Sequence, residues 1–256
     1  MRFPDKNSDE LSAFIGSLPS GAVVDIAPGN YWGPLVITQP ITLRGAGELT
    51  RISGGAGRPI RIETDGRVVL DSIRLERGHA SDGGGLLVAG GDVHVRNIHV
   101  HQCTADARGG GVAVLGGSLT ASGLYTAETA ADRGGAVWIG GRSQVALQDA
   151  QFSRCEASFG GAMAVEDAAV VEVGGLTMAR ARARSRAGGQ ALYAAGTWVG
   201  RPKLDLQRVK IENGSLGLPV VVDPAFPAEV RLRACDMPRT VMSVAGLVDG
   251  GANHWR

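Results

Sequence analysis

The sequence predicts an all-β protein, a single-stranded right-handed parallel β-helix of about eight coils with a short N-terminal capping helix. The first observation is a glycine-rich motif that recurs every 24 to 28 residues. The second is an apolar alternation of period two within each repeat, which is typical of short strands. The motif reads GGGLLVAGG from Gly83, GGGVAVLGG from Gly109, GGAVWIGG from Gly134, GGAMAVED from Gly160 and GGQALYAAG from Gly188.

Each repeat contains three short apolar stretches. Val112 and Val114 follow the glycines of one repeat. The segment DVHVRNIHV, 92–100, supplies two further alternating stretches. Three short strands without a helical period between them make one triangular coil, and each of its edges stacks on the next coil as a parallel sheet.

The chain is predicted to be one domain, with a cap at 1–20, coils over 21–237 and a last coil or tail at 238–256. Ser8 is a favourable N-cap for a short helix, which Pro19 ends. An apolar stripe along that helix would plug the open end of the core, and it consists of Leu11, Phe14, Ile15 and Leu18.

Composition narrows the classes of partner and compartment. The formal net charge is +1, from 26 basic and 25 acidic residues, so no global charge favours nucleic acid or a membrane. No signal peptide or membrane-spanning run is apparent, which predicts a cytoplasmic protein as given, or an extracellular one if a leader was removed. The three cysteines are predicted to be free core thiols, with Cys103 and Cys155 at one corner position two coils apart.

Several segments resemble known β-helix families. The stretch GAVVDIAPGNYWGPLVITQPITLRGAG, 21–47, resembles the opening coils of pectate-lyase-like proteins. The GGA repeats, with Phe152-Ser153-Arg154-Cys155, are similar to those of the polymorphic outer-membrane proteins, and GGANHW, 250–255, is similar to a common β-helix ending. The resemblance implies the fold, which serves lyases, hydrolases, epimerases and adhesins alike. A lyase of this kind would imply Ca²⁺; otherwise we expect no cofactor and no metal site.

A first candidate site lies in the turns before the glycine motif. Asp82, Asp106 and Asp132 occupy these turns, with Arg108 and Arg133 beside them. Stacking of the coils would bring the carboxylates into one column, which could bind calcium or perform acid–base chemistry. The alternative is that aspartate and arginine neutralise each other on solvated turns.

A second candidate site is formed by His99, His101 and Tyr125 on outward strand faces. Tyr125 falls one coil after the histidines, and a histidine–tyrosine pair can serve as base and acid on a sugar. The alternative is that these are ordinary exposed residues.

A third candidate is the segment MARARARSRAGG, 178–189. In an extended segment its arginines, Arg180, Arg182, Arg184 and Arg186, would lie on one face and could bind phosphate or carboxylate groups. The alternative is a lengthened charged turn.

The fourth candidate is an uncharged column on the outward side of the glycine-motif strands. Period two directs one residue outward from each coil, and these are Leu87, Ala113, Trp138, Ala164 and Leu192. An exposed apolar column indicates a partner surface. The alternatives are a covering segment of the same chain or a register displaced by one residue.

These observations favour a non-catalytic recognition module that binds a partner protein, a peptide or a glycan along the apolar column. Such a module would be a monomer or a homo-oligomer formed through that face. The rival hypothesis is a carbohydrate-active enzyme, of lyase or epimerase type, that uses the Asp/Arg and His/Tyr clusters.

Overall fold

The computed structural model describes residues 2–3, 10–185, 188–212, 218–237 and 247–255. It is a right-handed parallel β-solenoid of about nine turns, with 60% strand and 3% helix. The fold class is therefore confirmed. The elements are α1 (Glu10–Ser17) and the strands β1 (Arg2–Phe3), β2 (Ala22–Ile26), β3 (Gly29–Trp32), β4 (Leu35–Ile37), β5 (Ile41–Ser53), β6 (Ile60–Ile62), β7 (Arg67–Glu76), β8 (His79–Asp82), β9 (Leu86–Val88), β10 (Asp92–His101), β11 (Thr104–Arg108), β12 (Val112–Val114), β13 (Ser118–Ala127), β14 (Val137–Ile139), β15 (Gln144–Ser153), β16 (Glu156–Ala157), β17 (Met163–Glu166), β18 (Val170–Ala179), β19 (Arg182–Ala183), β20 (Leu192–Ala195), β21 (Lys203–Glu212), β22 (Val220–Val222), β23 (Glu229–Arg233), β24 (Asp236–Met237), β25 (Leu247–Asp249) and β26 (His254–Trp255).

Two large parallel sheets run along the solenoid. The first sheet contains the ten-residue strands β7, β10, β13, β15, β18 and β21 as consecutive neighbours. The second contains the three- and four-residue strands from β4 to β22. Two small sheets, β8–β11 and β16–β19, occupy the third side. The two stretches predicted within 92–100 form one continuous strand that bends in its middle.

Residues in the left-handed backbone region make the corners of each coil. The bend in the long strands lies at Ser72, Asn97, Gly123, Asp149, Gly175 and Arg208, all with positive φ. A second corner uses Arg77, Gln102, Glu128, Arg154 and Arg180 in the same way. A third corner is the first glycine of the first four motifs and the second glycine of the fifth, with φ between 59° and 64° at Gly83, Gly109, Gly134, Gly160 and Gly189. At Gly109 a Cβ atom would lie 2.2 Å from the carbonyl oxygen of Val112, so close backbone packing also requires glycine there.

Aliphatic side chains stack in register inside the solenoid. Val112 is paired with Val137 of the next coil and Leu86 of the previous one, and all three are fully buried. The cysteines belong to this core, and all three are free and buried as predicted. Thr129 occupies the equivalent position in the coil between Cys103 and Cys155. Its hydroxyl lies 3.3 Å from Sγ of Cys155.

The N-terminal end of the core is covered by α1. Leu11 and Ile15 of this helix are buried against the first coils, and Phe14 is partly buried. Phe3 completes the cap, with its ring centroid 4.9 Å from that of Phe14. The cap helix is therefore present as predicted, while the proposed N-cap Ser8 lies outside the described residues.

The C-terminal segment adds a further coil. Strand β25 pairs in parallel with β23, and β26 pairs with β24. These two strands continue the first sheet within the described part of 238–256. No helix among the described residues is long and apolar enough to cross a membrane.

Replacing Leu11 by alanine should destabilise the protein by about 2–5 kcal/mol, because the fully buried side chain seals the core. Thermal or urea unfolding measures this effect. The control is Ala13→Ser on the exposed side of the same helix, which should change stability by less than about 0.5 kcal/mol. Equal stability of the two variants would show that the helix does not cap the core.

Burial raises the pKa of the Cys103 thiol to about 11, so very little thiolate exists at mildly alkaline pH. The native protein should therefore react slowly with a disulfide reagent at pH ~8, and the denatured protein should release three thiols per chain. Fewer than three thiols after denaturation without reductant would contradict the assignment of free cysteines.

Candidate functional site

A groove of about 340 Å³ runs across the second halves of the long strands. After the bend, each strand directs two side chains outward, and in-register pairing stacks these into two rows. The first row is Arg74, His99, Tyr125, Gln151, Thr177 and Lys210. The second row is Glu76, His101, Ala127, Ser153, Ala179 and Glu212. The small residues of the second row leave the space that forms the groove.

His99 and Tyr125 stack on each other at the groove surface. Their ring centroids are 4.7 Å apart with an interplanar angle of 25°. The sequence placed Tyr125 one coil after His99 or His101, and the register pairs it with His99. Both rings are partly exposed in the groove.

Glu48 lies beside this stack although it comes from a strand two coils away. Its Oε1 is 3.3 Å from Nδ1 of His99, and its Oε2 is 3.0 Å from Nη1 of Arg74. Strand β5 has 13 residues where the following long strands have ten, and its register with β7 shifts on both sides of Gly47. The extra residues form a bulge that carries Glu48 over the groove. The greater length of this coil was the one sequence signal for Glu48.

Burial lowers the pKa of His99, and Arg74 adds to this effect while Glu48 opposes it. The imidazole is therefore neutral at neutral pH. The Glu48 carboxylate 3.3 Å from Nδ1 favours the tautomer that carries the proton on Nδ1, and this tautomer leaves the lone pair of Nε2 as an acceptor. His99 is thus suited to accept a proton or a hydrogen bond from a ligand.

His101 is held in a network instead. Its Nδ1 lies 3.2 Å from Nη2 of Arg74, which can only donate, so this imidazole nitrogen accepts. Its Nε2 is 3.4 Å from Glu128. Arg74 also donates from Nε to the buried carboxylate of Glu76 at 2.8 Å. His101 and Arg74 therefore form a rigid wall of the groove.

The predicted column of three aspartates is wrong. Asp82 pairs in register with Arg108, and its carboxylate accepts two hydrogen bonds from that guanidinium at 2.7 and 3.2 Å. The backbone of Arg108 pairs in turn with that of Arg133, which occupies the equivalent position one coil further on. A register shift between Ala105 and Arg108 displaces the predicted alignment.

The other two aspartates lie outside that column. Asp106 lies 3.6 Å from His79 instead. Asp132 precedes Arg133, and its backbone carbonyl accepts hydrogen bonds from the amides of Ser158 and Phe159. Within the described ranges, no group of three or more His, Cys, Asp or Glu side chains is placed to hold a metal ion. Calcium binding through an aspartate column therefore has no geometric basis here.

The uncharged column is in the predicted register at four of its five positions. Trp138 is paired with Ala113 and Ala164, and Ala113 with Leu87. Leu192 is the exception, because it lies opposite Met163 and points into the core. Tyr193 takes the outward position. The longer preceding turn moves the corner glycine to Gly189, one residue beyond the predicted alignment.

The column is buried rather than exposed, so this part of the prediction is also wrong. Trp138 is only 2% exposed. The guanidinium of Arg108 stacks 4.6 Å above the Trp138 ring, and that of Arg133 lies 5.1 Å above Phe159. Glu166 completes the cover, since it accepts a hydrogen bond from Nε1 of Trp138 at 2.9 Å and forms an ion pair with Arg133. The chain itself closes the face that was predicted for a partner.

The arginine-rich segment behaves as a charged turn over its described part. Arg180 occupies a left-handed corner, and Arg182 is exposed in β19. Arg184 donates from Nη2 to the carbonyl of Ala131 at 2.7 Å and lies 3.8 Å from Glu156. Arg186 lies outside the described residues. The four guanidinium groups were predicted to form one anion site, and Arg184 is instead engaged in tying neighbouring turns together.

Comparison with known proteins identifies the fold. No family model matches the chain, and no curated protein shows significant sequence similarity to it. The crystal structure of Escherichia coli YbhC is similar, with a TM-score of 0.52, over 88% of this chain and 79% of that chain. The sequence identity is 13%, so this similarity concerns the fold alone.

Replacing Trp138 by alanine should destabilise the protein by about 3–5 kcal/mol, because the indole fills the covered column. Thermal unfolding of this variant is best compared with that of Trp198→Ala, since Trp198 is 94% exposed. The second variant should have an almost unchanged Tm. An unchanged Tm in both would mean that the indole of Trp138 is not packed under Arg108.

Proposed function

We propose that the chain is a non-catalytic recognition module that binds a linear glycan in the groove beside His99 and Tyr125. The observation that carries this proposal is the stacked, partly exposed His99–Tyr125 pair in the groove. Gln151 and Thr177 continue the same row with amide and hydroxyl groups. Sugars present C–H groups on their faces and hydroxyls at their edges, and such an arrangement matches both.

The regular repeat of coils along the solenoid axis favours a polymeric ligand over a compact one. Successive coils repeat at about 4.8 Å, so an extended chain along the groove meets one outward side chain from each coil. A peptide added as a further strand is less suitable, because the strands under the groove are already paired on both sides. The pectate-lyase-like opening coils add support for a polysaccharide ligand. The module needs no cofactor or metal in this proposal.

A carbohydrate-active enzyme is the second candidate, and one observation favours it. Glu48 orients the neutral imidazole of His99, whose Nε2 could then act as a general base. This version relies on Glu48 and His99, because Asp82 and Arg108 neutralise each other outside the groove.

The test is a binding panel of soluble linear polysaccharides, both neutral and acidic, measured by affinity electrophoresis and calorimetry. Tyr125→Ala should weaken binding about tenfold or more, because the aromatic surface is lost. Gln151→Ala should weaken it by a smaller factor. The matched control is Gln144→Ala, an exposed glutamine of the same strand that points outward before the bend.

Binding that tolerates both groove variants would place the ligand elsewhere, and absence of binding across the panel would refute the glycan proposal. The same mixtures report on the enzyme version. Formation of new reducing ends or unsaturated products by the wild type, abolished by His99→Gln, would replace the binding module with an enzyme.

A further inference from the structure

The candidate groove has a limited length along the solenoid axis. Its floor lies along the second row, where three small residues follow one another, Ala127, Ser153 and Ala179. His101 precedes them and Glu212 follows them, and these two positions are four strand spacings apart, about 19 Å. A ligand in the groove therefore meets a large side chain at each end.

The end nearer the N-terminus is closed by a connected group of charged side chains. Arg74 reaches from the first row to the second, with Nη2 3.2 Å from Nδ1 of His101 and Nε 2.8 Å from the buried carboxylate of Glu76. Glu48 contacts the same guanidinium, with its Oε2 3.0 Å from Nη1. Only 20% of the Arg74 side chain is exposed. The guanidinium is thus held from three sides, and it does not swing aside to let a ligand pass.

The bulge of β5 that supplies Glu48 is itself anchored. Thr50 is fully buried, and its hydroxyl accepts a hydrogen bond from the amide of Ala46 at 2.9 Å and donates to the carbonyl of Ala27 at 3.1 Å. Nε of Arg51 donates to the carbonyl of Glu48 at 3.0 Å. The backbone is therefore held on both sides of Glu48, and its carboxylate is a fixed part of this end of the groove.

The opposite end is closed only by exposed side chains. Lys210 and Glu212 form an ion pair there, and 45% of each side chain is exposed. An exposed ion pair of this kind adds little to stability, so both side chains can turn aside at small cost. A ligand chain can therefore continue over this end of the groove and stops at the other.

We propose that the groove recognises the end of a glycan chain, with the terminal sugar against Glu48, Arg74 and His101; this inference rests on the proposed binding of linear glycans. An extended sugar chain advances by about one coil spacing for each unit, so the small residues between the two ends accommodate about three units. The groove volume of about 340 Å³ is at the lower end for ligand sites and suits a short terminal segment.

Glu48 gives the chemical reason for recognising a terminus. The last unit of a chain carries a hydroxyl group that an internal unit uses in its glycosidic bond. The carboxylate of Glu48 makes one contact through each oxygen and keeps lone pairs for a further donor. A terminal hydroxyl can donate to this carboxylate, and the linked oxygen of an internal unit cannot.

The first experiment counts binding sites on chains of different length. Pullulan, glucomannan, polygalacturonate and hyaluronan are each compared by calorimetry before and after partial hydrolysis, at equal mass and with the full protein chain. The amount of protein bound at saturation should rise in proportion to the number of chain ends, so that halving the mean length doubles it. Purified oligosaccharides of the same polymer should gain affinity up to about three units and little beyond.

The second experiment compares two variants of the bulge. Glu48→Ala should weaken trisaccharide binding about tenfold or more, because the terminal hydroxyl loses a charged acceptor. The matched control is Leu49→Ala, since Leu49 is the next residue of the bulge and is 63% exposed. This control should bind as the wild type does.

The outcomes separate this inference from the proposed function. A saturation capacity that depends on polymer mass alone, or equal affinity in Glu48→Ala and the wild type, would overturn chain-end recognition and leave glycan binding in place. No binding to any of the four polymers, intact or hydrolysed, would refute the glycan proposal and this inference with it.

Discussion

The structure depends on the requirement that every coil return to the same position one strand spacing along the axis. Parallel pairing fixes that spacing, and the left-handed corners turn the chain at fixed points. The third corner, at Gly83 and its equivalents, is the most restricted in residue type. Only glycine fits there, because a carbonyl oxygen of the strand that follows occupies the space of a Cβ atom. The first two corners accept asparagine, aspartate, serine and even arginine in the same backbone region. The recurring glycines are thus a consequence of coil closure.

The same requirement means that a coil can gain residues only at places where the added length does not move its strands. Strand β5 lengthens by a bulge, and the bulge delivers Glu48 to His99. The turn after β20 lengthens as a hairpin, and the hairpin delivers Trp198 to solvent. The candidate groove and the exposed turn 196–202 both arise at such departures. In a solenoid, an interruption of the repeat is therefore a better guide to function than the repeat itself.

This division explains what could be predicted from the sequence. Val112, Val137 and their neighbours obey the period-two rule, so the core and its register follow from spacing. His99 and Tyr125 hold equivalent strand positions, so their contact follows as well. The cover over Trp138 could not be predicted, because a register shift between Ala105 and Arg108 places Arg108 and Phe159 in a column that the motif spacing does not reveal. Leu192 was misplaced because its coil contains extra residues before Gly189.

The groove and the covered column differ in which of their polar groups are still free to bind a ligand. Over the column, each arginine already has its carboxylate, Asp82 for Arg108 and Glu166 for Arg133, so the pairs stabilise the cover and offer little net charge to a ligand. In the groove, Arg74 is saturated as well, by Glu48, Glu76 and His101. What remains open is the Nε2 atom of His99 and the partly exposed ring of Tyr125 beside it. A ligand that offers hydroxyl donors and apolar C–H faces uses both, and this chemistry is why the groove, rather than the buried apolar column, is the stronger candidate for recognition.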